Sequence, residues 1–284
     1  MSAPFVFNNR DQWLKRLRPP KRLDIRLWEP PPGKKKFETA LEAENRQDDW
    51  AEILDDGDIQ SQRLAALYKD CYNEEPCNLS FEPECIRRFR INYVWRVAEV
   101  IKEHFPNEPL FAVTTVSEPG QFAVGDLGSA SFTYWKQETR QNLDKAGLGD
   151  LSVIGGGCIS YNEYSRNILP PYWQIHGHYI FIGGTKSGIH RRLRKVYRPT
   201  DNTPQAVSVV PVTDLLGAIS YTYKSVFPRR VAYVDDHGHR NTRSGLPITK
   251  PELRELALFM ATQKFSDRLF LRGFRRRGHI LVPE

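Results

Sequence analysis

Two histidines one residue apart, in Trp173-Gln174-Ile175-His176-Gly177-His178-Tyr179-Ile180-Phe181, are the first residues whose type and spacing could do chemistry. Ile, Tyr, Phe and Trp fit a pleated, half-buried surface, so the run reads as a β-strand. Side chains alternate faces along a strand. His176 and His178 therefore share one side, and Trp173, Ile175, Tyr179 and Phe181 form a core set on the other. Imidazoles about 7 Å apart along a strand face can converge on one divalent cation; the alternative is a pair of edge-strand histidines with no ligand. Farther along, Tyr221-Thr222-Tyr223-Lys224 ends a helical pattern, and residues three apart on a helix share a face. Tyr221 and Lys224 then project together, while Tyr223 points about 200° away from Tyr221. A phenol, with an ordinary pKa of about 10, is a poor nucleophile at neutral pH. A neighbouring ammonium favours the phenolate, and a divalent metal on a phosphoryl oxygen lowers the barrier further. Imidazole pair, tyrosine and lysine together fit transesterification at a phosphodiester.

The elements that must position these groups can be read in outline. Cys85, Phe89, Tyr93, Val97 and Ile101 recur at intervals of four and predict a helix over 83–104, ended by Pro106. Leu110-Phe111-Ala112-Val113-Thr114-Thr115-Val116 predicts a central strand, and 131–146 an amphipathic helix. A second strand is expected over 151–161, interrupted by Gly155-Gly156-Gly157. No Gly-Lys-Ser/Thr follows those glycines, so they mark a bulge or a close backbone approach, not a phosphate loop. After the histidine strand, Ser187 caps a short helix with the densest basic run: Arg191, Arg192, Arg194 and Lys195. That run is either a solvated face or a set of phosphate contacts beside the histidines. Thr213 or Asp214 caps the tyrosine helix, expected to reach about Ser225. A strand over 229–234, a loop over 235–246 and a helix opened by a Thr249–Glu252 capping box complete the order. The fold class is α+β, a central antiparallel sheet flanked by helices. Four segments are expected: a basic, Pro-rich, flexible arm (1–65), a cysteine-containing segment and helix (66–105), the core (106–235), and a C-terminal helix with a basic tail (236–284).

Cys71, Cys77 and Cys85 lie within 15 residues and invite a structural zinc ion, with a fourth ligand that spacing does not indicate; buried free thiols are the other reading. The net charge of +7, from 41 Lys and Arg against 34 Asp and Glu, is compatible with a polyanionic partner. No apolar run approaches the ~18 residues that span a bilayer, so no membrane role is expected. Four cysteines do not make a disulfide framework, and Met1-Ser2-Ala3-Pro4-Phe5 lacks a secretory pattern, so a reducing cytoplasm is expected.

The order of an apolar-Thr strand (Phe111 to Val116), a His-x-His strand and a Tyr-x-x-Lys helix resembles the three motifs of the HUH endonucleases. Within that superfamily it is most similar to rolling-circle replication initiators of bacterial plasmids, over about residues 70–235. The segment Cys85 to Arg90 is also similar to a cysteine-rich stretch upstream of the first motif in some such proteins. The resemblance implies an RRM-like palm core, a Mg2+ or Mn2+ ion, and strand-specific nicking of single-stranded or origin DNA. It implies that His176 and His178 ligate the metal, that Tyr221 forms a 5′-phosphotyrosine link, and that Lys224 orients the phosphate. The 3′-hydroxyl released would serve a polymerase, and a host helicase is a further partner. The third ligand falls among Ser160, Asn162 and Glu163, with Glu163 preferred. Gly177 departs from the family, which usually has a bulky residue there. A catalytically inactive DNA-binding protein on the same fold, or a transposase of the same chemistry, are the alternatives.

Overall fold

Long runs of β-branched and aromatic residues make three strands that build the centre of the sheet: β1 (Leu110–Ala123), β2 (Ser152–Tyr164) and β3 (Tyr172–Ile182). A computed structural model describes residues 38–71, 76–164, 169–234, 236–237, 240–277 and 280–284. β3 pairs antiparallel with β1 on one side and β2 on the other, setting Val116 and Cys158 opposite His176, and Thr114 and Gly156 opposite His178. β4 (Val207–Pro211) flanks β1. With α4 (Phe132–Lys145) between β1 and β2 and α5 (Lys186–Leu193) between β3 and β4, the order is β-α-β-β-α-β, with spatial order β4-β1-β3-β2. This is the split βαβ arrangement.

The sheet continues past β2 as a mixed sheet. β5 (Arg229–Val234) pairs parallel with Tyr161–Tyr164, and β7 (Leu269–Arg272) pairs antiparallel with Val153–Gly156. β6 (Arg240–Leu246) pairs with β5, so the loop expected over 235–246 is largely a strand. The expected basic tail is also strand: β7, then a hairpin of β8 (Phe274–Arg277) and β9 (Ile280–Pro283).

The two faces of β3 carry different partners. On one face Trp135 of α4 stacks on Tyr179 at 6.2 Å. On the other lie His176, His178 and α6 (Leu215–Thr222), whose Tyr221 meets His178. The glycines of β2 serve both faces. A Cβ on Gly157 would stand 2.8 Å from the Phe132 ring, and one on Gly156 would stand 2.6 Å from the Thr222 carbonyl oxygen. Gly156 is thus the close backbone approach that lets the end of α6 lie against β2 beside His178.

By internal contacts the chain divides into two units, residues up to 96 with 249–267, and 97–248 with 268–284. The first contains α1 (Ala40–Asp55), α2 (Ile59–Lys69), the start of α3 (Pro83–His104) and α7 (Lys250–Ala261). Thr39 and Glu42 form a reciprocal capping box on α1. Thr249 caps α7 without a side-chain hydrogen bond, so the capping box expected there is not made. The core of this unit includes Leu54, Leu64, Tyr68, Leu256 and Met260, with Phe89 stacked on Phe265 at 4.5 Å. The flexible arm expected over 1–65 contains α1 and the start of α2, and residues 1–37, including Lys15, Arg16 and Lys34, lie outside the described ones. Expected boundaries at 105 and 236 do not coincide with the units, because α7 buries its apolar face in the first unit and the chain then returns to the sheet. Among the described residues, no helix is long and apolar enough to cross a membrane.

Candidate metal centre and nucleophile

His176 and His178 stand side by side on β3, each 2% exposed, their ring centroids 4.8 Å apart and their planes nearly perpendicular. The Nδ1 of His176 donates to the Gln174 carbonyl oxygen at 3.2 Å, and the Nδ1 of His178 lies 2.9 Å from Thr114 Oγ1. Both Nε2 atoms are buried with no hydrogen-bond partner. A buried polar atom left unmatched costs about 1–3 kcal/mol, and imidazoles fixed through Nδ1 with a free Nε2 are how histidines are commonly presented to a metal. The third donor is Cys158. It faces His176 across the β2–β3 ladder, and the ligand atoms of Cys158, His176 and His178 all lie within 4.8 Å of one another.

Burial pushes both imidazoles well below their ordinary pKa, and the charges of Lys224 and Arg230 push the same way; for His178 the neighbouring His176 adds to this. They are neutral at neutral pH, the form a cation requires. The sign for stability follows. Unfolded imidazoles take up protons near pH 6.5 while the folded ones stay neutral, so the unfolded state binds more protons and the metal-free fold weakens below about pH 6.5. Each imidazole should cost on the order of 1 kcal/mol per pH unit in that window. Urea midpoints of metal-free protein at about pH 7.5 and 5.5 test this; equal midpoints would mean that the rings charge freely in the fold.

Tyr221 is half exposed, and its ring centroid lies 4.6 Å from that of His178. Lys224 Nζ sits 3.8 Å from the centre of the Tyr221 ring. The helix delivers this differently from the sequence expectation. α6 ends at Thr222 and Tyr223 turns out of it with φ −131°, so Tyr221 and Lys224 do not share a helical face. Lys224 folds back over the ring from the following segment. Arg268, fully buried, fixes that segment by donating to the Lys224 carbonyl at 2.9 Å and to the Gly157 carbonyl at 3.1 Å. Tyr223 is buried with the Arg268 guanidinium 4.2 Å from its ring centre. Of the two tyrosines, only Tyr221 is open to a polymeric substrate.

Glu163 does not join the donor group. Its Oε1 accepts from Arg229 Nη2 at 2.6 Å and from Nε at 3.0 Å, an ion pair across the parallel β2–β5 edge. Of the other two candidates, Ser160 and Asn162, the Asn162 amide is bonded to Ser160 Oγ. The basic run is also displaced from the site. Arg191, Arg192, Arg194 and Lys195 are exposed on and just after α5, but that helix lies on the α4 side of the sheet. Arg192 donates to the Gly147 carbonyl just past α4, and Tyr197 is hydrogen-bonded to Asn142 of α4.

Arg230 is a second cation on the histidine side, beside Lys224. With Val116, Asn162, Tyr172, Gln174 and His176 it borders a cleft of about 400 Å³, and its Nε is buried without a partner.

Known protein families, curated proteins and solved structures give no match to this chain.

Sequence reasoning missed Cys158 and Arg230. Cys158 carried a signal: Gly156 and Cys158 alternate in step with His176 and His178, as two strands of one ladder would. Arg230 carried none, because its place depends on β5 joining β2 in parallel.

The other cysteines gather separately. Cys71 Sγ lies 3.6 Å from Cys85 Sγ and 3.3 Å from Glu82 Oε2, and Cys77 Sγ lies 3.8 Å from Cys85 Sγ. Burial, with the Cys71 thiol beside it, pushes the Glu82 carboxyl up to about 8, while hydrogen bonds from Cys71 and Cys85 hold Cys77 down to about 5.

Proposed function

We propose that this protein is a metal-dependent enzyme that nicks and rejoins single-stranded DNA through Tyr221, serving to start replication of a plasmid or similar mobile element. One observation carries the reading: an exposed phenol beside two buried imidazoles with free Nε2 atoms, its ring 4.6 Å from that of His178. A tyrosine so placed can reach a phosphate held at the histidines.

Tyr221 Oη would attack phosphorus in line. The Oη–P bond forms, the P–O3′ bond breaks, the phenol proton passes to water and the departing 3′ oxygen takes one up. The product is a 5′-phosphotyrosine and a free 3′-hydroxyl, and attack by that hydroxyl reverses the step and rejoins the strand. His176, His178 and Cys158 would hold a divalent cation, which supplies charge stabilisation on the phosphoryl oxygens when bound. Of the Mg2+ and Mn2+ that the family resemblance implies, Mn2+ suits these donors better, since Mg2+ selects oxygen ligands. Lys224 would move from the ring to the phosphate, and Arg230 would neutralise the adjoining one in the cleft.

Incubating the protein with labelled single-stranded DNA and Mn2+ should give a covalent adduct that survives denaturation; its absence with every strand and metal tried would refute the reading. A separate test concerns the charges. Arg230→Ala should weaken binding of single-stranded DNA and lower the slope of log K against log salt by about 0.7, the value for one phosphate contact. Neutralising Arg191, Arg192, Arg194 and Lys195 together should change that slope less than Arg230→Ala does. The reverse ranking would place the DNA on the α5 side.

A further inference from the structure

We infer that Cys71, Cys77, Cys85 and Glu82 form a closed structural zinc site that ties the end of α2 to the start of α3. It shares no residue with the histidine centre and goes beyond the nicking chemistry.

The distances match what a tetrahedral ion demands. With Zn–S about 2.3 Å, the edge between two thiolates of a regular tetrahedron is about 3.8 Å, and with Zn–O about 2.0–2.2 Å a sulfur–oxygen edge is about 3.5–3.7 Å. The sulfurs stand 3.6 and 3.8 Å apart along Cys71–Cys85 and Cys77–Cys85, and Cys71 Sγ stands 3.3 Å from Glu82 Oε2. All four donor atoms lie within 4.8 Å of one another. The sulfurs are free thiols, and their spacing is one that a shared ion can take.

The surrounding backbone is arranged around the same point. Cys71 follows Asp70, the C-cap of α2, and Cys85 lies in the first turn of α3. Glu82 caps α3, its carboxylate accepting from the backbone N–H groups of Glu84 at 3.1 Å and Cys85 at 2.7 Å, which aims Oε2 at the sulfurs. The backbone N–H of Cys77 donates to Cys71 Sγ at 3.2 Å, an outer-shell bond of the kind that supports thiolate ligands. Next to Cys77, Asn78 has φ +58°, a left-handed conformation that Asn tolerates and that lets the chain double back over the cluster. Cys71, Cys85 and Glu82 are buried and Cys77 partly so. Four protein donors leave no position for substrate, which marks a structural rather than a catalytic centre. The charge of Arg46 is close enough to interact with that of Glu82, offsetting the excess negative charge of three thiolates and a carboxylate on a dication.

Short spacing between Cys71, Cys77 and Cys85 suggests such a site from sequence alone, but the fourth donor is a glutamate that serves at once as helix cap. Metal affinity in such a site is folding free energy for the segment it closes.

The test uses full-length protein purified under reducing conditions without chelator. In the His176→Ala/His178→Ala double variant, which removes the other donor group, elemental analysis should still find one zinc per chain, and Cys77→Ser/Cys85→Ser should lower the zinc content by one per chain. Because the serine variant could misfold, the His176→Ala/His178→Ala variant stripped of metal is also titrated with Co2+. Its tight site should show a tetrahedral visible spectrum and a thiolate-to-cobalt charge-transfer band of three-thiolate intensity. Glu82→Gln should keep the fold and weaken Co2+ binding by more than the roughly 10- to 100-fold that loss of an outer-shell partner costs. Zinc that follows the histidines instead of the cysteines, a one-thiolate band, or no uptake of Zn2+ or Co2+ by reduced wild-type protein would each overturn the assignment.

Discussion

Tyr221→Phe is expected to abolish the covalent adduct with single-stranded DNA and to reduce strand cleavage by roughly a thousandfold or more, the scale of losing a covalent nucleophile. Binding should persist, because the phenyl ring keeps its place against His178, and the half-exposed site makes the stability cost small, within about 0.5 kcal/mol. Tyr223→Phe separates the two tyrosines. Tyr223 is fully buried against Arg268, so its variant should lose stability while still forming the adduct. Gel analysis of both variants with one labelled oligonucleotide, alongside thermal melts, reads all four outcomes. An adduct that survives in Tyr221→Phe and disappears in Tyr223→Phe would reverse the assignment and require the end of α6 to rearrange on DNA.

The His-x-His strand was legible because its alternation is strong: the apolar set of Trp173, Ile175, Tyr179 and Phe181 fixes which face the histidines occupy whatever the neighbours are. Central strands β1 and β2 and helices α3 and α4 were legible for the same reason, since their burial follows local period. The end of α6 was not. Nothing in Tyr-Thr-Tyr-Lys stops a helix, and the stop comes from Gly156 and Arg268, which hold Thr222 and Lys224 from distant parts of the chain. Lys224 therefore reaches the Tyr221 ring by a route that helical spacing does not describe.

Pairing partners were the other gap. Glu163 was a reasonable third ligand on its position before the histidine strand, but a carboxylate goes to the nearest good cation, and β5 sets Arg229 beside it. Likewise the basic run at Arg191 to Lys195 follows the histidines closely in sequence, yet a β-α-β crossover carries it to the other face. Sequence proximity predicts spatial proximity poorly across a sheet, whose two sides are separated by its own backbone.

On the proposed function, Cys158 should set which cation the centre takes, and replacing it should change the preference. The donors gathered there are two imidazole nitrogens and a sulfur, with the Glu163 carboxylate engaged by Arg229. Such a set orders cations by softness and by the Irving–Williams series, so Zn2+ and Co2+ should bind more tightly than Mn2+, and Mg2+ most weakly. Cys158→Ala leaves two ligands, and affinity for Zn2+ or Co2+ should fall by more than the roughly 10- to 100-fold that an outer-shell loss costs. Cys158→Asp sets a carboxylate at the β2 position opposite His176 and creates a two-histidine, one-carboxylate set with harder character. That variant should shift the ratio of Mn2+ to Zn2+ affinity toward Mn2+ by about an order of magnitude or more. Mn2+-supported nicking should survive in it even though burying a carboxylate lowers its melting temperature. Competition titrations against a chelator of known affinity, run on all three proteins with the Cys71, Cys77, Glu82 and Cys85 site already filled with zinc, measure the ratio at the histidine centre. If Cys158→Ala binds Zn2+, Co2+ and Mn2+ as the wild type does, the thiol is core packing, and the two imidazoles must draw their third donor from the DNA or from water.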